Sequence, residues 1–423
     1  MKKLRRIAFY SYDDQGLGHV RRSIAIAHAL SDAQPSSILL MAGAREASLF
    51  RLPEGTDTLA LPAPATDFNG RRRAPSLGLD MAGTLRVRAG ALRSALAAFE
   101  PDVLIVDRLP LGVHDELAAS FGVLRAMGTR LVLGLREVLD DPASVRAEWD
   151  HAGALETVRR NYHAIWVYGD PAVYDTAVAY DMPADVRAII RYSGYLDRHA
   201  RERSVTGDSA SRRRELGLPD GRLALCLLGG GEDGLRVAEA FARARRPAGT
   251  TGVVVTGPFM PSDQRARLAE AARGRDDLAV LGFVPDAELL VPLADDVVAM
   301  GGYNTTCEIL ASGARALIVP RTKPRREQLI RARALAARGA VDVLHPDRLS
   351  PEALSEWLAA GVAGRARPAS APIDLDGLGR LPALLDEVLA LTGARSTRSA
   401  ASETKRFDRP GRRDAELARS ASA

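Results

Sequence analysis

The run YDDQGLGHVRRSIAIAHAL holds the residues best suited to chemistry in the first half of the chain. Gly16 and Gly18 close a tight turn after an apolar run, and Ile24, Ala27 and Leu30 then recur at helical spacing. A helix starting there presents free N–H groups and partial positive charge to whatever lies beyond its end. His19 stands at that start. Imidazole is the side chain best suited to exchange a proton near neutral pH, and Asp13 and Asp14 are alternative bases just before it. A dinucleotide fingerprint would need a third glycine where Arg21 stands, which disfavours a dehydrogenase.

A second run, LALCLLGGGEDGLRVAEAF, sets Gly229, Gly230, Gly231 and Gly234 between a buried strand and a helix. Consecutive glycines let a backbone approach a diphosphate closely. No Gly-Lys-Ser/Thr follows, so the run is not a P-loop. A third begins ADDVVAMGGYNTTCEILASG, where Gly301 and Gly302 precede Asn304, Thr305 and Thr306, residues suited to cap a helix. Glu308 lies one turn into that helix. The helix dipole favours an acid there, and a carboxylate in that place can also accept two ribose hydroxyls. Glu327 and Gln328 open a later helix and can read sugar hydroxyls, while Lys323, Arg325 and Arg326 suit either an acidic sugar or a solvated face. The strand ends lack the Asp-X-Asp of a metal–diphosphate site, so no metal and no cofactor is expected. Glycine loops and a helix N-terminus can carry a leaving diphosphate without one.

Short apolar runs alternate with helical periodicity, the pattern of βαβ units around parallel sheets. Strands are expected at 6–11, 37–42, 103–106, 131–135 and 165–168, then at 223–228, 252–256, 278–281, 296–300 and 316–320. Their ends carry polar residues, among them Asp107, Arg136, Glu137 and Asp170, and open α/β sheets bind ligands outside the carboxyl ends of their strands. The expectation is an α/β chain of two Rossmann-like domains facing across a cleft. The first spans 1–197 and the second 222–391, with a polar linker at 198–221 and a disordered Ser/Arg/Ala tail at 392–423.

The bulk composition narrows the class. Hydrophobic residues make up 46% and charged residues 26% of the 423, as in soluble globular proteins. The net charge of +5 comes with only 5% aromatics and no basic stripe, so no nucleic-acid partner is expected. Cys226 and Cys307 sit in apolar runs without disulfide or zinc spacing, which fits a cytoplasmic protein. Nothing approaches the roughly 18 apolar residues of a spanning helix, so any membrane contact would be peripheral, at the inner face.

Taken together, these motifs resemble the GT-B glycosyltransferases. The nearest type is the lipid-intermediate N-acetylglucosaminyltransferases of peptidoglycan synthesis and related predicted glycosyltransferases of the family 28 group. The resemblance follows the order of motifs from Arg6 to Leu391, is strongest over residues 296–340, and includes the phrases PDVLIVDRLPLG and LVLGLREVLDDP. It implies transfer of a hexosyl or N-acetylhexosaminyl group from a nucleoside-diphosphate sugar, expected to be a UDP-sugar. The acceptor hydroxyl is unidentified, with lipid-linked and polysaccharide acceptors as candidates. Glu308 matches the family's ribose-binding Glu, and Gln328 a Gln that contacts the donor sugar. Gly301, Gly302, Asn304 and Thr305 match its phosphate-side loop, and Phe283 and Val284 the place where backbone groups read the base. Gly18 and His19 match the acceptor-side Gly-His loop, which makes His19 the candidate general base and puts Gly16, Asp107 and Arg136 on the acceptor side. The chain departs from the peptidoglycan enzymes at Asp13-Asp14-Gln15, at Glu327 and at Arg331. Two other readings compete. A non-hydrolysing nucleotide-sugar epimerase would need further carboxylates in the cleft, for which Asp107, Glu137 and Asp170 are available. A catalytically silent nucleotide-sugar-binding protein would not need His19.

Overall fold

In the computed structural model the described residues are 4–11, 17–44, 47, 50–62, 77–197, 213–214, 218, 221–282, 284, 287–362 and 372–391. They form two parallel sheets. The first orders its strands β3-β2-β1-β4-β5-β6-β7. These are β1 Arg5–Ser11, β2 Ser36–Ala42, β3 Thr56–Ala60, β4 Val103–Asp107, β5 Arg130–Arg136, β6 Ala164–Tyr168 and β7 Ile190–Tyr192. The second orders them β10-β9-β8-β11-β12-β13, comprising β8 Arg222–Leu227, β9 Thr250–Val255, β10 Leu278–Leu281, β11 Asp296–Ala299, β12 Arg315–Ile318 and β13 Asp342–Val343. Each order reverses beside its first strand, at β1/β4 and at β8/β11. A crevice opens at such a switch point in open α/β sheets.

The helices of eight residues or more are α1 Gly18–Ala33, α2 Met81–Phe99, α3 Ala118–Ala126, α4 Pro142–Ala152, α5 Ala154–Asn161, α6 Leu235–Arg243, α7 Ser262–Ala272, α8 Tyr303–Ser312, α9 Glu327–Ala337, α10 Pro351–Val362 and α11 Gly377–Ala390. The inner strands β4 and β6 are buried along their whole length, because helices cover both faces. The chain ends its described course by returning to the first domain. Leu381, Leu384, Leu385 and Val388 of α11 join Val20, Ile24 and Ala27 of α1 in one apolar core, and Gly377 N–H donates to Tyr195 C=O at 3.0 Å.

All ten strands read from the sequence are present, with bounds shifted by at most two residues. Three others, β3, β7 and β13, were not expected. All three are edge strands, and β3 (TDTLA) has no buried residue. Nothing requires such a strand to be apolar, so it leaves no apolar run to read. The tail at 392–423 and most of the linker at 198–221 lie outside the described residues.

Candidate active site

The two switch points face each other across a cleft of about 280 Å³. On the first wall, α1 begins at the carboxyl end of β1, while Asp107 and Arg136 end β4 and β5. On the second wall, the Gly229-Gly230 turn follows β8, Gly302 and α8 follow β11, and Arg321 with α9 follows β12.

His19 lines this cleft and is 9% exposed. Its Nδ1 contacts the Oδ2 of Asp107, which is itself buried behind it. Arg22, one turn further along α1, donates from Nη2 to Asp107 Oδ1 at 2.5 Å and also approaches His19 Nδ1 at 2.9 Å. The carboxylate is the closer of the two and can only accept, which assigns the proton to Nδ1 and the lone pair to Nε2. Burial pushes the His19 pKa down from 6.5 to about 4. Asp107 pulls it upward, while Arg22 and Arg136 add to the depression. The positive end of α1 favours the neutral imidazole as well.

Across the cleft, Glu308 is 2% exposed and borders the same space as Gly229, Gly230, Asn304 and Thr305. The first turn of α8 differs from the sequence expectation. Gly302 is its N-cap and no side chain caps it, so Asn304 and Thr305 stand inside the helix. Asn304 Nδ2 instead donates to Gly18 C=O at 3.1 Å and ties the two walls together. The start of α9 is held by Arg321. Its N–H donates to Gln328 Oε1 and its Nη2 to a Glu327 carboxylate oxygen, both at 2.8 Å. Burial alone would raise the Glu327 pKa, but the charges of Arg136, Arg321 and Arg331 overcome it and keep the group ionised.

Two glycines expected at the donor diphosphate lie behind the wall rather than on it. A Cβ on Gly231 (φ +92°) would stand 2.0 Å from Thr256 C=O, and one on Gly301 (φ +80°) would stand 2.7 Å from Ile318 Cγ2. Both are glycine because the backbone needs a left-handed turn in a packed corner. Gly18, His19, Arg136, Gly229, Gly230, Val284, Gly302, Asn304, Thr305, Glu308, Glu327 and Gln328 do line one cleft. Asp107 supports His19 from behind. Asp13, Asp14, Gly16 and Phe283 lie outside the described residues.

The basic run before α9 lies outside the cleft, partly exposed, and reaches back to the first domain. Arg325 Nη1 lies 3.5 Å from both Asp140 and Glu148, Arg326 Nη1 lies 3.3 Å from Asp141, and Arg326 N–H donates to Asp140 Oδ1 at 2.7 Å. These residues join the second domain to the first. Tyr303 of α8 also bridges the domains. It stacks on Tyr195 with centroids 6.2 Å apart, and the Arg22 and Arg331 guanidinium groups each lie 5.6 Å from its ring centroid.

The carboxylates that an epimerase would use are all engaged elsewhere. Glu137 pairs with Arg331, Asp107 with His19 and Arg22, and Asp170 accepts backbone N–H bonds from Ala172 and Asp374. Among the described residues no group of three or more His, Cys, Asp or Glu side chains is placed to hold a metal. No described helix is long and apolar enough to cross a membrane.

Two facing Rossmann-like sheets with a cleft between their switch points define the two-domain GT-B class. Solved structures agree on the fold. Acinetobacter baumannii MurG is 14% identical with a TM-score of 0.52, over 90% of this chain and 99% of that one. UDP-GlcNAc 2-epimerase from Neisseria meningitidis bound to UDP-GlcNAc is 12% identical with a TM-score of 0.57, over 92% and 99%. Residues 245–374 match the glycosyltransferase family 28 C-terminal domain. A UDP-N-acetylglucosamine–N-acetylmuramyl-(pentapeptide) pyrophosphoryl-undecaprenol N-acetylglucosamine transferase from Paenarthrobacter aurescens is 25% identical over 361 residues, 83% of this chain and 86% of the relative. The second domain accordingly matches the glycosyltransferase family 28 C-terminal domain, and the chain is a glycosyltransferase.

Proposed function

We propose that this glycosyltransferase moves a hexosyl or N-acetylhexosaminyl group from a UDP-sugar to an acceptor hydroxyl, with His19 as the general base. The observation that carries the reading is the buried His19–Asp107 pair on one wall, facing Glu308 and the Gly229-Gly230 turn on the other. Glu308 holds the ribose hydroxyls. The glycine backbone and the N–H groups at the start of α8 hold the diphosphate, which needs no metal there. Gln328 and Glu327 face the sugar. The acceptor oxygen attacks the anomeric carbon as its proton passes to His19 Nε2. The bond from that carbon to the diphosphate oxygen breaks, and the diphosphate leaves with the electron pair. Asp107 fixes the tautomer of His19 and stabilises the imidazolium as it forms.

The pyrophosphoryl-undecaprenol in the name of the Paenarthrobacter relative makes a lipid-linked acceptor the first to try. Such an acceptor places the protein at the cytoplasmic face of a membrane, in peripheral contact. Incubation with a panel of UDP-sugars, followed by product analysis, tests the reading. Transfer, or slow hydrolysis without an acceptor, supports it. Isomerised nucleotide sugar would make the protein an epimerase, and bound but unchanged donor would make it a silent binder.

A further inference from the structure

Several cations in and behind this cleft pair with carboxylates. Arg22 pairs with Asp107, Arg331 with Glu137, and Arg321 with Glu327 and Asp233. Arg136 lines the cleft at the end of β5 and has no carboxylate within salt-bridge distance among the described residues. The next residue, Glu137, is fully buried against Arg331. Arg136 therefore presents a guanidinium with no carboxylate in contact, beside His19 on its own wall and within the field of Glu327 on the other.

From this geometry we propose that Arg136 seats an oxyanion of a substrate, a carboxylate or phosphate group distinct from the donor diphosphate. The inference rests on the nucleotide-sugar reading above, which assigns the diphosphate to Gly229, Gly230 and the start of α8. Two sources can supply the group: a carboxylate on the donor sugar, or a phosphate on the acceptor. The surroundings support the assignment. Burial pushes the Arg136 pKa down to about 9, the positive charges of Arg331, Arg108 and Arg22 push the same way, and only Glu327 opposes them. A guanidinium in such a place gains more from a bound oxyanion than one already neutralised, and its planar fork matches carboxylate or phosphate oxygens.

The test uses calorimetry on the full chain and on Arg136→Gln and Arg136→Lys, after thermal unfolding has established that both variants fold. UDP should bind all three equally. Inorganic phosphate titrated into the UDP complex should bind the wild type and lose roughly ten- to hundredfold in affinity in Arg136→Gln, with partial recovery in Arg136→Lys. UDP-glucuronate compared with UDP-glucose then identifies the source. A wild-type preference for the uronate that Arg136→Gln abolishes assigns the oxyanion to the donor sugar. Equal affinity for the two, with the phosphate effect intact, assigns it to the acceptor. The proposal is overturned if Arg136→Gln weakens UDP itself, which would make Arg136 a diphosphate ligand. It is also overturned if phosphate binds the variant as well as the wild type and no uronate preference exists. If UDP does not bind the wild type, the nucleotide reading fails separately, and the phosphate titration into free protein still decides the role of Arg136.

Discussion

The Glu137 carboxylate of the first domain and the Arg331 guanidinium of α9 meet in a two-bond pair, Nε to Oε1 at 2.6 Å and Nη2 to Oε2 at 3.1 Å. Both side chains are essentially without exposure, and Tyr195 OH adds a bond to Glu137 at 3.2 Å. Arg331 follows Glu327 and Gln328 on the same helix, so this pair fixes the donor-side helix against the acceptor-side wall. Removing one partner leaves a buried charge alone, which costs about 3–5 kcal/mol, whereas replacing both with apolar residues of similar volume is often near neutral. Glu137→Ala should destabilise by that amount, and Glu137→Leu with Arg331→Met should recover most of it. Denaturant unfolding measures both. A loss below about 1 kcal/mol in the single variant would show that the pair holds nothing.

Glu308 is assigned to the ribose of the donor. Losing hydrogen bonds to a charged acceptor costs roughly 1.5–3 kcal/mol, or about ten- to hundredfold in Kd. Glu308→Ala should therefore weaken UDP binding by that factor in a folded protein. Unchanged calorimetric affinity would remove Glu308 from the site.

The depressed His19 pKa has two consequences with the same sign. At a pKa of about 4, roughly nine-tenths of His19 stays neutral at pH 5, where an ordinary imidazole would be about 3% neutral. Turnover should hold from pH 8 down to pH 5 and reach half only near pH 4. The unfolded chain, with its imidazole near 6.5, takes up a proton that the folded chain refuses. The stability that His19 contributes is therefore complete above pH 6.5 and is lost as pH falls from there to about 4. An acidic limb at 6.5 in kcat/KM would mean that His19 is not buried as described, or is not the base.

Backbone N–H groups are the expected diphosphate contacts, so donor binding and turnover should survive EDTA. Activity that disappears with the chelator and returns with Mg²⁺ or Mn²⁺ would show that a metal carries the leaving group.

The inner strands and the cleft they build were legible because each is a buried apolar run ending in glycine or a polar residue, as at Leu223–Leu228 and Val103–Asp107. The strands β3, β7 and β13 were not: β3 has no buried residue, and β7 and β13 run for only three and two residues, too short to leave an apolar run. Single residues failed for a different reason. Gly231 and Gly301 read as phosphate glycines, yet their backbones turn to avoid Thr256 and Ile318, atoms distant in sequence. Asn304 read as a cap, and its partner is Gly18 in the other domain. Arg325 and Arg326 read as suited to an acidic sugar or a solvated face; they stay partly exposed and also pair with Asp140, Asp141 and Glu148, outside the cleft. The role of Asp107 had a recoverable signal. It ends β4, the strand that pairs with β1, and α1 starts at the carboxyl end of β1, so the sheet order alone brings it toward His19.

The most direct test of the account is His19→Ala, with turnover and donor affinity measured on the same folded preparation. A general base accounts for roughly 10²–10⁴-fold in rate and little in ground-state binding. The account predicts a fall in kcat of that size with the calorimetric Kd for UDP within about twofold of wild type. A Kd that rises in step with the loss of turnover would make His19 a phosphate ligand. Turnover and affinity both unchanged would contradict the proposed mechanism outright.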